Sequence, residues 1–448
     1  MGVSFLFATL STLLGRLVPL EYLLPAIIVG ATAVYLLGRE LLTEQTSKSK
    51  RSALIVAGVI IIVGNMAILS INSSMRSLLS SIQPADSSIE TYTILGEKSR
   101  NTKLATAKSA GMISADPYLK EAELGLKTKT AAKPKLKENT AELMSSLRDD
   151  ELDTAVLNSS LTKLLSENYP GYDSDFEVLA TFKVKVKQKN STAASVDTSK
   201  PFIVYISGID TYGPIASVSR SDVNMLAVVN PVTHTIVLVN TPRDYYVQLH
   251  GTTGNRDKLT HAGLYGIDMS RQTLEDLYGV QIDYYLRVNF TTLVQMIDTL
   301  GGVSVESDYN FKTFQKGQNY LDGAEALEFS RERYSFSEGD RQRGANQQKV
   351  IEAVIAKAST PSNAIYYRSF ISTLQDSLQT NVSQSSISSL VNAQLSNRKP
   401  WTVQSISVTG PGKKAPTYSM GSLPLYVMQP DQASVDAAKT QINSTLAQ

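Results

Sequence analysis

Acidic and basic side chains recur in the second half of the chain, at points where predicted strands begin or end. Asp210 follows the apolar run FIVYISGI, Arg220 and Asp222 stand just before the next run, and Arg243 follows a third run in TPRD. Guanidinium groups bind phosphate oxygens through paired hydrogen bonds, and Mg²⁺ takes few carboxylates together with phosphate oxygens and water. These residue types fit a phosphate site with a metal ion, although two loop aspartates taken alone are more typical of turn caps or ion pairs.

A denser group of charges follows a predicted helix near residue 330. In EALEFSRER, Arg331 and Arg333 would point about 200° apart on a continuing helix, but they would face the same side of an extended chain. In GDRQRGANQQ, a helix that starts near Asp340 would bring Asp340, Arg343 and Gln347 within about 60° of one another. Acid, guanidinium and amide groups would then form one polar stripe. Asp340 also suits the N-cap of that helix.

Arginines beside two aspartates of the metal-binding type predict a site for a pyrophosphate. Transfer at phosphorus depends on positioning and charge neutralisation more than on covalent chemistry. The alternative is a set of surface arginines in ion pairs, which contribute little to stability. The concentration of these arginines at turns and element ends favours the site.

Strand and helix patterns alternate around these charges. The predicted strands are Phe202–Asp210, Met225–Asn230, Thr235–Asn240, Asp283–Val288 and Gly302–Ser307, and the predicted helices are Ser270–Leu277, Thr291–Leu300, Gly323–Phe329 and Gly344–Ala358. Such alternation predicts an α/β fold whose sheet is covered by helices on both faces, and ligands of such sheets bind outside the strand ends. Beyond Pro361, two helices, a strand near Trp401–Val408 and a last helix near Ser434–Leu446 are predicted.

A smaller α/β unit is predicted upstream, from about Ser87 to Val186. Its strands would include Thr91–Leu95 and Phe176–Val186, and its helices would include Thr140–Leu147 and Leu152–Glu167. The five lysines between positions 127 and 137 are more typical of a solvated loop or helix face than of an anion site. A polar tether, Ser73–Asp86, and a linker, Gln188–Lys200, are predicted on either side of the unit.

Three apolar stretches open the chain and predict three membrane-spanning helices. They are Val3–Leu20, Tyr22–Gly38 and Ala53–Ile71, and the last would span about 30 Å. A signal peptide is the alternative for the first stretch, although that stretch lacks a basic start. The loop between the second and third stretches is basic (Arg39, Lys48, Lys50, Arg51), so we expect it in the cytoplasm. With three spans the N-terminus is also cytoplasmic, and everything after about Ser73 is extracellular.

Composition excludes several other classes of function. The 448 residues are too many for one ordinary domain, and a net charge of +2 gives no sign of nucleic-acid binding. The chain has no cysteine, which excludes disulfides, thiolate metal sites and a cysteine nucleophile. With three histidines in all, a histidine-rich zinc site is not expected.

The charged motifs closely resemble those of the LytR-CpsA-Psr family, in particular its capsule-polysaccharide branch in streptococci. The matching segments are GIDTYGPIASVSRSDVNMLAVVNP, TPRDYYV, DKLTHAGLYG, LYGVQIDYYLRVNF, IDTLGGVSV, ALEFSRERYS and GDRQRGANQQKVI, between Pro201 and about Lys357. The resemblance implies a multi-pass membrane protein with an α/β/α catalytic domain around a mixed sheet. The implied division is a membrane anchor (1–72), a tether with an accessory unit and linker (73–198), a catalytic core (199–360) and a C-terminal part that completes it (361–448).

The resemblance also implies the activity and the role of each charged residue. The family transfers a polymer from a polyprenyl-pyrophosphate carrier to peptidoglycan with Mg²⁺. By motif, Asp210 and Asp222 resemble the metal-associated acids. The phosphate-binding residues would be Arg220, Arg243, Arg331, Arg333, Arg343 and Gln347, and the catalytic group would be Arg243, Arg331, Arg333 and Asp340, the last as base or as an orienting acid. Many members carry Arg-Gln-Gln where this chain has Asn346 before the glutamines, which leaves Arg343 to supply the charge.

Two other functions remain open from the sequence. Members of the family have been described as transcriptional attenuators, so a membrane regulator of capsule synthesis without catalysis is the alternative to a phosphotransferase. No helix-turn-helix is visible in the short predicted cytoplasmic segments, so regulation would run through partner membrane proteins of capsule assembly. The third reading is a module that binds wall polysaccharide without chemistry. The expected partners are the lipid-linked polysaccharide, the peptidoglycan acceptor and membrane lipid.

Overall fold

The computed structural model describes residues 2–15, 20–42, 47–81, 87–187, 196–197, 199–211, 215, 218–358, 378–383, 386–387, 389–390, 393–394 and 399–448. Three helices come first: α1 (Gly2–Gly15), α2 (Leu20–Leu42) and α3 (Lys48–Ser81). The predicted linker lies mostly outside the described residues, as do the two helices predicted after Pro361.

Two of these helices, and not three, are long and apolar enough to cross a membrane. The apolar windows are Leu23–Leu41 in α2 and Ser49–Ser70 in α3. The helix α1 has 14 residues, about 21 Å, which is shorter than a hydrocarbon core of about 30 Å. Among the described residues, two spans and not the predicted three meet this test, and the cytoplasmic N-terminus inferred from three spans loses its basis. The helix α3 continues beyond the apolar window to Ser81, through most of the predicted tether.

A five-stranded sheet with helices follows the anchor, and we call Ser87–Lys187 the accessory unit. Its strands are β1 (Ser87–Glu97), β2 (Ser109–Ile113), β3 (Lys133–Lys137), β4 (Thr154–Asn158) and β5 (Phe176–Lys187), and its helices are α4 (Leu119–Lys127), α5 (Thr140–Arg148), α6 (Ser159–Asn168) and α7 (Tyr172–Asp175). The strand order is β3-β2-β4-β1-β5. Three of the five lysines lie on the exposed edge strand β3, where lysine discourages pairing with another chain.

The predicted helix Leu152–Glu167 is half wrong. Its first part is the fully buried strand β4, and α6 starts only at Ser159. Asn158 ends the strand and caps the helix, because its side chain accepts a hydrogen bond from the backbone N–H of Leu161. Burial in the middle of a sheet overrides the helical propensity of Leu and Ala in this segment.

The second half of the chain builds a larger α/β domain. Its strands are β6 (Phe202–Ile209), β7 (Ser221–Asn230), β8 (Thr235–Asn240), β9 (Tyr246–Val247), β10 (Asp257–Lys258), β11 (Tyr284–Asn289), β12 (Val303–Ser307), β13 (Gly317–Leu321), β14 (Leu378–Thr380), β15 (Thr402–Ser407), β16 (Gly412–Thr417) and β17 (Gly421–Met428). Its helices are α8 (Leu259–Ala262), α9 (Ile267–Tyr278), α10 (Phe290–Thr299), α11 (Gly323–Arg331), α12 (Asp340–Ala358) and α13 (Gln432–Ala447).

The central sheet has the order β14-β11-β6-β7-β8-β15 and is mixed, as expected. β11 pairs parallel with β6, and β15 pairs parallel with β8, while β7 runs antiparallel between β6 and β8. The ends of β6, β8, β11 and β15 therefore meet the start of β7 at one edge of the sheet. The predicted strand Gly302–Ser307 is β12, but it pairs with β13 in a separate hairpin. The hairpin of β16 and β17 was not predicted.

Helices cover both faces of the central sheet, as the alternation of side chains in the strands requires. Met225 and Leu238 pack on one face with Ile351 of α12. Leu226 and Val239 pack on the other face, with α9 and α13. The core on the face covered by α9 and α13 continues into the accessory unit, where it includes residues of α5 and α6. The central sheet and the sheet of the accessory unit therefore share one apolar core.

The cysteine-free sequence allows a direct test of topology with single cysteines and a membrane-impermeant maleimide. If α2 and α3 are the two spans and their basic loop is cytoplasmic, Gly2→Cys and Lys129→Cys should be labelled in intact cells. Ser47→Cys, in the loop, should be labelled only after lysis. Protection of Gly2→Cys in intact cells, with labelling of Lys129→Cys, would show that α1 crosses the membrane after all.

Candidate active site

One edge of the central sheet gathers the predicted site residues into a single cavity of about 800 Å³. Asp210 follows the end of β6, Arg220 precedes the start of β7, and Arg243 follows β8. The cavity is lined by eight of the nine predicted residues: Asp210, Arg220, Asp222, Arg243, Arg331, Arg333, Arg343 and Gln347. The fold thus brings together side chains that are up to 137 positions apart, from Asp210 to Gln347. Their individual roles stay predictions.

The cavity has two chemically different parts. Its charged side chains come mainly from the strand ends and from the chain around residues 331–343, with Glu167, Lys312 and Glu328 in addition. Its apolar lining comes from β11, α10 and α12 and includes Leu286, Val288, Leu293, Val350 and Ile355. Such a cavity is suited to a molecule with an anionic group at one end and a hydrocarbon chain at the other.

Asp222 is held by cations and by a hydroxyl group. Its Oδ2 accepts a hydrogen bond from Nη1 of Arg243 at 2.8 Å, and its Oδ1 accepts one from the hydroxyl of Thr260 at 3.0 Å. Burial alone would raise the pKa of Asp222, but the charges of Arg243, Arg343 and Arg220, with the Thr260 hydroxyl, hold that pKa below its ordinary value. Asp222 is therefore a carboxylate throughout the neutral range.

The acids of the cavity are too few to hold Mg²⁺ alone and suit it only together with oxygen atoms of a ligand. Among the described residues, no group of three or more His, Asp or Glu side chains is placed to hold a metal ion. The carboxylates of Asp210 and Asp222 line the cavity, and Oδ1 of Asp210 lies 3.8 Å from Arg331. Mg²⁺ takes one or two carboxylates together with substrate phosphates and water. The donor set therefore fits Mg²⁺ that is shared with a phosphate ligand.

Arg331 and Arg333 both line the cavity because the helix stops between them. α11 ends at Arg331, and Glu332 has the extended backbone angles φ −65° and ψ 131°. The guanidinium of Arg331 lies over the ring of Phe290, 4.3 Å from its centre, and that of Arg333 lies 4.6 Å from the ring centre of Tyr334. The extended alternative for this segment is the one that the structure adopts.

Glu332 holds this turn in place, and the sequence reading missed it. Its side chain is 6% exposed. Its Oε1 accepts the backbone N–H groups of Tyr334 and Ser335 at 2.7 and 2.9 Å, and its Oε2 pairs with Nζ of Lys312 at 2.7 Å. Lys312, with the two N–H groups, lowers the pKa of Glu332 to about 2. An acid between two arginines was the available signal, but its partner Lys312 is 20 positions upstream.

The helix α12 presents Arg343 and Gln347, one turn apart, to the cavity. A side chain at Gly344 would collide with Asn240, because its Cβ would lie 2.4 Å from Nδ2. Glycine thus lets the start of α12 approach the end of β8. Asn346 donates a hydrogen bond to the carbonyl oxygen of Phe329 and joins α12 to α11. Asp340 is the first residue of α12, and its side chain lies outside the described part of the structure.

Arg220 has a partner from the accessory unit. Its Nη1 lies 2.7 Å from Oε2 of Glu167, which is in the last turn of α6 and also lines the cavity. Sequence reasoning missed Glu167, since it lies 53 positions before Arg220 in a different unit.

Lys258 and His261, in the segment DKLTHAGLYG, do not line the cavity. Lys258 pairs with Asp244 at 2.9 Å. The Nδ1 of His261 lies 2.7 Å from Oδ1 of Asp257, and Oδ2 of Asp257 accepts from the hydroxyl of Ser419. This buried network joins β10 and α8 to the turn before β17, which is a structural role.

Comparison with known proteins gives a family match and similar chains. The model of the LytR_cpsA_psr family matches residues 172–444, more than half of the chain. The chain is similar to the polyisoprenyl-teichoic acid–peptidoglycan teichoic acid transferase TagU of Bacillus cereus, with 34% identity over 231 residues, which are 50% of this chain and 72% of the relative.

Two solved structures also match part of this chain. The crystal structure of B. subtilis TagV has a TM-score of 0.48 and 26% identity, and it covers 56% of this chain and 98% of its own. The structure of TagT bound to LI-WTA has a TM-score of 0.46 and 27% identity, and it covers 57% of this chain and 94% of its own.

The Glu332–Lys312 pair predicts a pH-dependent contribution to stability. Because the pKa of Glu332 is lowered in the folded chain, its stabilisation is complete above the pKa of an unfolded-chain glutamate, about 4.3, and it is lost as the pH falls toward about 2. Glu332→Gln should therefore destabilise the full chain in detergent by about 1–3 kcal/mol at pH 7, with a difference in melting temperature that shrinks below about pH 4.3.

Matched variants separate this pair from a general charge effect. Lys312→Met should show a similar loss at neutral pH, and the exposed Glu306→Gln should melt like the parent chain. A destabilisation by Glu332→Gln that stays constant from pH 7 to pH 3 would contradict the assigned role.

Proposed function

We infer the function from one premise, that this chain belongs to the LytR-CpsA-Psr family, and we propose that it is a transferase which attaches a polyisoprenyl-linked glycopolymer to peptidoglycan. The observation that carries the proposal is the two-part cavity, in which arginines at the strand ends adjoin an apolar interior. A prenyl chain fits the apolar part, and its pyrophosphate fits the arginines.

The arginines of the cavity differ in how closely acids balance their charge, and this difference suggests their roles in binding the pyrophosphate. Arg220, Arg243 and Arg343 surround Asp222 and already balance part of their charge against it. Arg331 lies farther from its nearest acid, at 3.8 Å from Asp210. Within the described part of the chain, Arg333 is in contact with the ring of Tyr334 and forms no ion pair. We therefore assign Arg331 and Arg333 to the phosphate oxygens whose charge grows during transfer, and Gln347 to a hydrogen bond beside them.

The proposed reaction is a single displacement at phosphorus. A hydroxyl oxygen of peptidoglycan attacks the phosphorus that bears the first sugar of the polymer. The bond from that phosphorus to the bridging oxygen breaks, and polyprenyl phosphate leaves with the electron pair. The polymer is then joined to the wall through a phosphodiester, and the hydroxyl proton goes to the carboxylate of Asp340, our proposed base.

Asp210 and Asp222 are proposed to hold Mg²⁺, which supplies charge neutralisation at phosphate oxygens when bound. The two acids fit this role because they are oxygen donors on the same cavity wall as the arginines. Arg243 and Thr260 orient the carboxylate of Asp222.

We propose a capsular or extracellular polysaccharide as the polymer, because the sequence motifs resemble the capsule branch of the family. The relative from B. cereus is a teichoic acid transferase, so teichoic acid is the competing polymer. The apolar helices α2 and α3 support an anchored protein, with the cavity on the extracellular side where the acceptor lies. Regulation of capsule synthesis without catalysis is the competing function, and substitution of the cavity arginines separates it from transfer.

Arg331→Ala and Arg333→Ala should each lower kcat/KM for transfer from a prenyl-pyrophosphate donor by about a hundred-fold, because each removes a charge that meets the phosphate in the transition state. Arg341→Ala is the matched control. It lies in the same segment, pairs with Glu338 and does not line the cavity, so its rate should equal that of the parent chain.

The same variants test the function in cells. With redundant relatives deleted, the two cavity variants should lose wall-linked polymer while they are expressed at the level of Arg341→Ala. Normal attachment in both cavity variants would rule out the transferase. If deletion of the whole chain changes transcription and Arg331→Ala does not, regulation is separate from catalysis.

A chelator should stop turnover by the full chain, and added Mg²⁺ should restore it. Asp210→Asn should raise the Mg²⁺ concentration needed for half-maximal turnover, because one oxygen donor is weakened. Asp276→Asn on α9, outside the cavity, should leave that concentration unchanged. Full activity in excess chelator would contradict the metal assignment.

A further inference from the structure

The accessory unit reaches the cavity of the larger domain through a single acidic side chain. Glu167, in the last turn of α6, lines the cavity beside Arg220. Its two carboxylate oxygens face the two terminal nitrogens of that arginine, with Nη1–Oε2 at 2.7 Å and Nη2–Oε1 at 3.4 Å. This end-on pairing of two guanidinium nitrogens with two oxygens is also a way in which an arginine binds a phosphate.

The position of Glu167 is determined by how α6 is packed. Leu161, Leu164 and Leu165 of this helix are buried in the core that both sheets share. The hydroxyl of Ser160 donates a hydrogen bond to the carbonyl oxygen of Val218, in the segment that leads to Arg220. The helix therefore presents Glu167 to the arginine from a fixed site.

One edge of a guanidinium cannot serve Glu167 and a phosphate at the same time. The side chain of Arg220 is 22% exposed and that of Glu167 is 39% exposed, and ion pairs this open to solvent are weak. A ligand with a higher negative charge, which is also held by the other arginines, can therefore take the place of the carboxylate. Glu167 would then lie close to an anion and would need another cation.

Such a cation stands one helical turn earlier on α6. The Nζ of Lys163 lies 3.9 Å from Oε1 of Glu167, and the side chain of Lys163 is 61% exposed. Residues at i and i+4 on a helix are neighbours, so a small rotation of the Glu167 side chain strengthens this pair. The carboxylate thus has two cations within reach, one in the cavity and one on its own helix.

We propose that Glu167 is an exchangeable counter-ion of Arg220, which the pyrophosphate of the lipid donor displaces toward Lys163. The inference rests on the proposed function, because it requires that the cavity bind such a donor. The accessory unit then takes a direct part in donor binding. Its Glu167 neutralises Arg220 when no donor is bound, and it releases Arg220 when the donor enters.

The test measures binding of geranylgeranyl pyrophosphate to the full chain in detergent at neutral pH. Glu167→Gln removes the competing charge and should tighten binding about three- to five-fold, the range expected for one partly exposed ion pair. Lys163→Met removes the second cation and should weaken binding about two-fold. The double variant should bind like Glu167→Gln alone, since without the carboxylate the lysine has no function in the exchange.

Controls and outcomes distinguish this inference from the function on which it rests. Glu123→Gln on α4, outside the cavity, should bind like the parent chain, and melting temperatures should confirm that each variant is folded. Weaker or unchanged binding by folded Glu167→Gln would overturn the inference, and weaker binding would mean that Glu167 orients Arg220. If the parent chain binds the probe and Arg331→Ala does not, the proposed function stands whatever Glu167 does. If the parent chain does not bind the probe, both are overturned.

Discussion

Mutual repulsion among six cationic side chains at one edge of the central sheet is the constraint on which the rest of the site depends. The six are Arg220, Arg243, Lys312, Arg331, Arg333 and Arg343. Like charges packed this closely oppose folding unless acids separate them. The fold supplies a different acid to each region of the cavity: Glu167 to Arg220, Asp222 to Arg243, Asp210 to Arg331 and Glu332 to Lys312. These acids allow the arginines to stay close together without a ligand.

The mixed sheet makes this distribution of charge possible. Since β7 runs against β6 and β8, the start of β7 and the ends of its two neighbours meet at the same edge. Arg220 and Asp222 thus enter from one chain direction, while Asp210 and Arg243 enter from the other. The same edge opens between the sheet and the helices α10 and α12, whose apolar side chains line the rest of the cavity. Charge recognition and an apolar interior are therefore two consequences of one strand arrangement.

Local patterns predicted the parts of the molecule in which neighbouring residues decide the structure. The buried runs that became β6, β7 and β8 were recognised, and so was the polar stripe of Arg343 and Gln347 on α12. Features set by distant packing were missed. The strand β4 was read as a helix because its position inside a sheet depends on partners elsewhere. The cations that pair with Glu167 and Glu332 are distant in sequence, and only the folded chain brings them together.

The four acids that pair with cavity cations differ in how strongly their carboxylates are held. This difference determines which ion pairs an entering ligand would change first. Asp222 and Glu332 have lowered pKa values, the first through its arginines and Thr260 and the second chiefly through Lys312. Their side chains are only 16% and 6% exposed, and each lies within 2.8 Å of its cation, so they belong to the architecture. Glu167 and Asp210 are more exposed, and Asp210 lies 3.8 Å from its arginine. Phosphate entering the cavity would change the weak pairs first and leave the strong pairs intact. A site built this way can exchange one anion for another without rearranging the sheet that holds it, and α6 places one of the two weak pairs under the control of a separate unit.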